Sequence, residues 1–461
     1  MLQVVQAFDR APLAEVPVDD ADAMEAKLKA ALRVLADRDG WLATHTRAAV
    51  LRRAAALLAA RQEHFAHQIA REGGKPLIDA NVEVVRAVEG LHCAADELRN
   101  FAGREVPMGL TAASTKRWAF TTREPIGVVF AISAFNHPLN LIVHQVAPAI
   151  AVGCPVIVKP ASATPLSCRD FVALLHEAGL PEGWCQTFIP RGSALAEQLA
   201  TDPRISFLSF IGSASVGWRL HSKLARGTRS ALEHGGVAPA IVDRSVDLDR
   251  IITPLVKGGF YHAGQVCVST QRIYVHEAIF SEFNERLVAR VASLRTGDPI
   301  SVETEVGPLI HPNEVNRVAD WVKEAVAGGA QCVSGGERLS GTLMQPTVLI
   351  EPPLGARVSR EEVFGPVVCV YRYSQLDEAI AQANSLRVPF QACVFSEDIE
   401  VALRASERLD ASAVMINDPT TFRTDWMPFA GRREAGYGVG GIPYTMRDMT
   451  QEKMVVLHRR A

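Results

Sequence analysis

The sequence predicts an α/β protein: a mostly parallel sheet with helices on both faces, followed by a second α/β unit. Three observations carry this. Short apolar runs with β-branched residues recur from residue 125: "PIGVVFAIS", "CPVIVKP", "ISFLSFIG" and "ALEHGGVAPAIV". Helix-like stretches such as 139–151 and 165–179 lie between them. The alternation resumes after about residue 236, with "QRIYVH" (271–276), helices near 277–294 and 312–328, and "VVCVYRY" (367–373). Strand and helix in alternation make a parallel sheet covered on both faces. Such sheets bind ligands at the carboxyl ends of their strands.

Ahead of the first sheet, residues 46–76 are rich in Ala, Leu and Arg and predict a helix ending at Gly73-Gly74. A second helix is expected over about 79–100. Residues 103–123 lose helical periodicity and read as an extended hairpin, and 452–460 ("EKMVVLHRR") reads as a strand. These two segments are expected to pair with each other or with another subunit.

With 461 residues the chain exceeds one ordinary core, so two or three domains are expected. A net charge of −3, with acids and bases mixed along the chain, argues against a nucleic-acid binder. The eight cysteines are scattered, with no CxxC pair and no Cys/His ligand spacing. A disulfide framework or metal site is therefore not expected, and a reducing, cytoplasmic setting is. No secretory leader or membrane span is read from the sequence.

Several short stretches carry candidate chemistry. "FAISAFNHPLN" (130–140) places Asn136 and His137 where a buried strand meets a helix. Asn136 either caps that helix or aims an amide at a reacting oxygen. Lys159 ends a strand, as a solvated lysine or one that reaches a ribose or phosphate. Gly212 and Gly217, in "FIGSASVG", permit close approach of a backbone or a phosphate. Glu233, before Gly235-Gly236, is either a solvated acid or a buried general base. Cys267 lies in "FYHAGQVCVSTQR" (260–272), where Gly264 lets the chain turn and polar residues follow. Alone it reads as a spacer like the other seven cysteines.

Together, in order and spacing, these stretches resemble the aldehyde dehydrogenase superfamily over nearly the whole chain. Asn136 falls on that family's oxyanion-stabilising Asn, Glu233 on the acid of its "ELGG" motif and Cys267 on the nucleophile of "GQxC". Lys159 falls on its ribose-binding Lys, and Gly212 and Gly217 on its "FTGS…VG" turn. "REEVFGPVV" (360–368) places Glu362 and Phe364 at the nicotinamide ribose, and "MPFAGRREAGYGVGG" (427–441) resembles the C-terminal signature. Ile132, Ser133, Phe135, Ser162 and Ser213 complete the coenzyme residues that the resemblance implies.

The resemblance implies a Rossmann-like coenzyme-binding domain (1–102 and 124–235), a second α/β catalytic domain (236–425) and a small β oligomerisation arm (103–123 and 445–461). It implies a homodimer or homotetramer. It also implies oxidation of an aldehyde to its acid through a cysteine thiohemiacetal and thioester, with Cys267 activated and no metal. NAD is the first expectation. Ser162 stands where a Glu that repels a 2′-phosphate is often found, so NADP stays open.

"INDPTTFRTDWMPFAG" (416–431) resembles the branch of lactaldehyde, non-phosphorylating glyceraldehyde-3-phosphate and phosphonoacetaldehyde dehydrogenases. By that resemblance Arg423 and Arg86 meet an anionic substrate group, with His137 as a third polar contact. Otherwise Arg86 pairs with Glu83 at i,i+3, and His137 is a satisfied histidine at the helix start. Members specific for phosphate carry an arginine before the nucleophile, where this chain has Val266. The expected substrate is therefore a small polar or monoanionic aldehyde. Phosphonoacetaldehyde is the alternative. A CoA-acylating enzyme is disfavoured by Glu233, and a silent binding protein by the intact set of Cys267, Glu233 and Asn136.

Overall fold

A computed structural model describes residues 1–459; the last two residues of the expected arm, 460–461, lie outside the described residues. Six strands form the first sheet, in the order Gly436–Tyr437, Arg229–Glu233, Ile205–Ile211, Val128–Ile132, Val156–Lys159, Cys185–Thr187. All pairs are parallel except that of Gly436–Tyr437 with Arg229–Glu233. The strand "VVFAI" is buried along its whole length, as a parallel strand covered on both faces must be. One face packs on the helix Asn140–Val152, itself buried at every residue, and on Leu77–Glu97 and Thr44–Ala60 beyond it.

Seven strands form the second sheet, in the order Gln331–Ser334, Thr347–Ile350, Val367–Tyr373, Thr270–His276, Ala238–Val242, Gln391–Phe395, Ala413–Ile416. Only Gln331–Ser334 runs antiparallel. The run "ALEHGGVAPAIV" divides between the sheets: Arg229–Glu233 belongs to the first and Ala238–Val242 to the second. His234 to Val237 therefore cross from one sheet to the other.

The hairpin and the C-terminal strand pair with each other. Arg117–Pro125 runs antiparallel to Thr450–His458 along its whole length, and Glu105–Val106 adds a short third strand. Trp118, Met454, Val456 and Leu457 stand exposed on this ribbon.

Three features differ from the sequence reading. The expected helix over 46–76 is two helices, Thr44–Ala60 and Gln62–Gly73, broken at Arg61. Nothing in its Ala-rich composition signals that break, and Arg61 turns outward to pair with Glu177 at 2.6 Å. The second helix ends as expected, with Gly74 in the left-handed conformation. Residues 2–5 and 12–16 form an additional hairpin. Segment 426–444, left unassigned in the sequence division, returns to the first sheet as Gly436–Tyr437 and leads into Ile442–Asp448, a helix packed on Asn140–Val152. Among the described residues, no helix is long and apolar enough to cross a membrane.

Candidate active site

A cavity of about 750 Å³ opens at the carboxyl ends of Val128–Ile132, Ile205–Ile211 and Arg229–Glu233. Cys267, Asn136 and Glu233 all line it, although 131 residues separate Asn136 from Cys267 in the chain.

The segment before Cys267 is a tight left-handed turn. His262, Ala263 and Gly264 have φ of 49°, 55° and 72°. A Cβ at Gly264 would lie 2.1 Å from the Gly365 carbonyl oxygen, so only glycine fits. Gln265 locks the turn from inside. Its Nε2 donates to the oxygens of His262 and Pro308, and its Oε1 accepts from Ile310 N–H at 2.9 Å. Asn136 Nδ2 then donates to the Gln265 carbonyl oxygen at 2.9 Å. Asn136 is therefore not the helix cap. That role falls to the buried carboxylate of Glu83, whose Oε1 accepts from Leu139 N–H at 2.9 Å and Asn140 N–H at 3.0 Å.

Cys267 itself is half-buried. Burial, then the charges of Glu362 and Glu233, push its thiol up to about 12, with Arg423 acting the other way. Val266 beside it is buried among Phe390 and Phe429, so the pocket is apolar there. Glu233 ends its strand with its carboxylate against Gly440, where a Cβ would come within 2.1 Å of Oε1. Burial raises its pKa, against the charge of Arg423.

Ile132, Ser133, Phe135, Gly212, Ser213, Glu362 and Phe364 line the other end of the cavity. Phe135 meets Phe364 edge-on at 5.8 Å. Ser133 Oγ and Glu362 Oε1 are buried without a hydrogen-bond partner. Burial pushes the Glu362 carboxyl up to about 8, partly offset by Arg317 and the Gly236 N–H. Buried polar atoms left open at a cavity wall suit a ligand with hydroxyl or amide groups, so these residues fit a dinucleotide. Lys159 and Ser162 flank Ala161, which lines the cavity, but do not line it themselves. Lys159 Nζ donates to the Pro160 oxygen at 3.1 Å, and Ser162 is exposed. Gly217 has a different reason to be glycine: a Cβ there would meet the His234 ring at 2.0 Å. The position serves helix packing and leaves no open cradle.

Arg86, His137 and Arg423 line the opposite end. Arg86 does not pair with Glu83, because Glu83 is held by the buried Lys75. Arg86 instead grips Asp425, with Nη2 donating at 2.7 Å and Nε at 3.3 Å. Asp425 also accepts from Asn140 Nδ2 at 3.1 Å and lies 2.7 Å from His144 Nε2. Arg423 stacks on Phe429, its Cζ 3.4 Å from the ring centre. Its Nη2 lies 3.2 Å from His144 Nδ1, and its Nε is buried without a partner. His137 is buried near the Tyr261 ring at 6.0 Å, and burial keeps it neutral.

Sequence reasoning missed Asn140, His144 and Asp425. One signal was available: "NLIVHQ" puts polar residues four apart on a helix otherwise apolar all round. Lys257 and Tyr261, also on the cavity wall, carried no comparable signal.

A model of the aldehyde dehydrogenase family matches residues 1–455. The 3-sulfolactaldehyde dehydrogenase of Priestia megaterium is 36% identical, over 99% of this chain and 95% of that protein. The crystal structure of aldehyde dehydrogenase 21 from Physcomitrella patens, in complex with the reaction product succinate, superposes with a TM-score of 0.96 at 36% identity, covering 99% of this chain and 95% of that one. Glyceraldehyde-3-phosphate dehydrogenase GapN from Methanocaldococcus jannaschii, complexed with NADP, gives a TM-score of 0.94 at 31% identity, covering 100% and 99%. The chain belongs to the aldehyde dehydrogenase family.

Proposed function

We propose that this enzyme oxidises a small aldehyde with one distal negative charge, a sulfonate or carboxylate, to its carboxylic acid, with NAD(P) as oxidant. One observation carries the substrate reading. Arg423 is a half-buried side chain whose Nε is buried without a partner and which has, among the described residues, no carboxylate within salt-bridge distance, whereas Asp425 neutralises Arg86. One cation without a direct salt-bridge partner, beside the Phe429 ring, suits a monoanion better than a phosphate dianion. Val266 leaves that balance unchanged.

In this reading Cys267 Sγ adds to the carbonyl carbon and its proton passes to Glu233, a carboxylate whose raised pKa makes it a competent acceptor. The carbonyl oxygen takes the negative charge and is met by an Asn136 N–H and the Cys267 backbone N–H. Asn136 Nδ2 carries two hydrogens and gives only one to Gln265, so the other is free. Nicotinamide, when bound, would supply the hydride acceptor, and loss of hydride would leave the substrate carbon as a Cys267 thioester. Glu233 releases the first proton to solvent and then deprotonates water, which attacks the thioester; the C–S bond breaks, Glu233 returns the proton taken from water to the departing Cys267 thiolate, and the product loses its remaining proton to solvent and departs as the carboxylate.

Ser133, Phe135, Glu362 and Phe364 would hold the nicotinamide half, and Ile132, Gly212 and Ser213 the adjoining wall. Lys159, Ser162 and Gly217 remain in the proposal as supports at its margin. NAD is the first expectation and NADP the second. The division into a coenzyme-binding domain, a catalytic domain and an arm belongs to this reading, as does a dimer or dimer of dimers built on the ribbon that exposes Trp118 and Val456.

The test is a substrate matrix: 3-sulfolactaldehyde, succinic semialdehyde, lactaldehyde and long alkyl aldehydes, each with NAD and NADP, and Cys267→Ala as the blank. A preference for long alkyl or aromatic aldehydes that Arg423→Leu leaves unchanged overturns the reading.

A further inference from the structure

We infer that His144 and Asp425 act as one positioning unit that aims Arg423, so that Arg423 alone reads the substrate's charge and Arg86 serves as a counter-ion. This rests on the reading above that Arg423 meets the substrate's anionic end. The geometry is a chain of directed hydrogen bonds. Asp425 is buried and lies within hydrogen-bond distance of Arg86, Asn140 and His144. Burial would raise its carboxyl, but His144 and Arg86 outweigh burial and hold it well below the usual range. An ionised carboxylate only accepts, so His144 Nε2 must carry the ring hydrogen.

That assignment leaves a lone pair on His144 Nδ1, which faces Arg423 Nη2 at 3.2 Å. The opposite tautomer would set an N–H against a guanidinium N–H and satisfy neither. A charged imidazolium would do the same, and burial, then the Arg423 charge, push His144 down to about 4. Stacking on Phe429 fixes the plane of the guanidinium. The hydrogen bond that Arg423 Nη2 donates to His144 fixes its rotation within that plane and leaves Nε–H buried and open. Arg86 has no such freedom, since Nε and Nη2 are both committed to Asp425.

The test compares 3-sulfolactaldehyde with lactaldehyde, which lacks only the sulfonate, on the full-length enzyme with its coenzyme. The readout is the ratio of the two kcat/KM values, which a general folding defect does not move. His144→Phe removes both hydrogen bonds and should lower that ratio about 10- to 100-fold, mainly through KM for the sulfonate, the range expected for a lost hydrogen bond to a charged group. His144→Gln, whose amide can accept from Arg423 and donate to Asp425, should restore most of it. An unchanged ratio in His144→Phe, while Arg423→Leu collapses it, overturns the positioning role and leaves the Arg423 reading standing. An unchanged ratio in Arg423→Leu overturns that reading itself. If His144→Phe does not fold, Asp425→Asn decides: a lower ratio supports the unit, and an unchanged one overturns it.

Discussion

Asn136 and Gln265 are joined by one hydrogen bond, the Asn136 amide donating to the Gln265 carbonyl oxygen at 2.9 Å. The donor proposed for the oxyanion is thereby tied to the loop that carries Cys267. Asn136→Ala should cut kcat by about 10²–10³. Asn136→Asp keeps the size but presents an acceptor to an oxyanion, and should be at least as damaging. Steady-state kinetics with 3-sulfolactaldehyde check both; a kcat within threefold of wild type would remove Asn136 from the reaction.

The thiol of Cys267 gives a pH prediction. Its pKa is raised, so the neutral form is favoured and the thiolate fraction keeps growing as pH rises toward about 12. Alkylation of the coenzyme-free enzyme by iodoacetamide should therefore accelerate through pH 7–10 without levelling. The same thiol pKa has an upward push from ionised Glu362, whose own pKa is about 8, so Glu362→Gln should shift the part of the curve above about pH 8 to lower pH. A plateau near the ordinary thiol value of about 8.5 would contradict this.

Position 266 offers a gain-of-function test. Val266→Arg adds a second uncompensated cation beside the nucleophile. KM for glyceraldehyde 3-phosphate or phosphonoacetaldehyde should fall about tenfold or more, with a smaller change for the sulfonate. The buried contacts with Phe390 and Phe429 will be disturbed, at about 1–3 kcal/mol, so the thermal midpoint should drop as affinity rises.

The buried pair of Lys75 and Glu83 gives a stability prediction. Both side chains are fully buried, and Glu83 also caps the helix that follows Asn136. Glu83→Ala strands the lysine and uncaps the helix, costing about 3–5 kcal/mol. Lys75→Met combined with Glu83→Gln keeps an acceptor for Leu139 and Asn140 and should recover most of that loss. Urea midpoints of the three proteins settle the order.

Much of this was legible in the sequence because it is written locally. Parallel strands buried on both faces must be short apolar runs, and those around Val128–Ile132 and Val367–Tyr373 were found on that ground. Cys267, Glu233 and Asn136 stand out because their motifs keep the order and spacing of the family that the sequence resembles, and all three line one cavity. What escaped was choice of partner at long range. Glu83 prefers Lys75 and a helix end to its neighbour Arg86, and His144 meets a carboxylate 281 residues away. Two acceptors and two donors of like chemistry read the same in sequence until the fold sets them side by side. The raised pKa of the Cys267 thiol escaped for a related reason: burial depends on what surrounds a group, and no motif spells that out.

The network around Asp425 also bears on how such enzymes can be recombined. Arg423 and Asp425 sit near the end of the chain, while Arg86, Asn140 and His144 come from its first third. A chimaera assembled from two relatives at the crossover near residue 236 would inherit its dinucleotide wall from one parent except at Glu362 and Phe364. Its substrate preference would be stitched from both, and would survive only where the donor of positions 423 and 425 agrees with the donor of 86, 140 and 144.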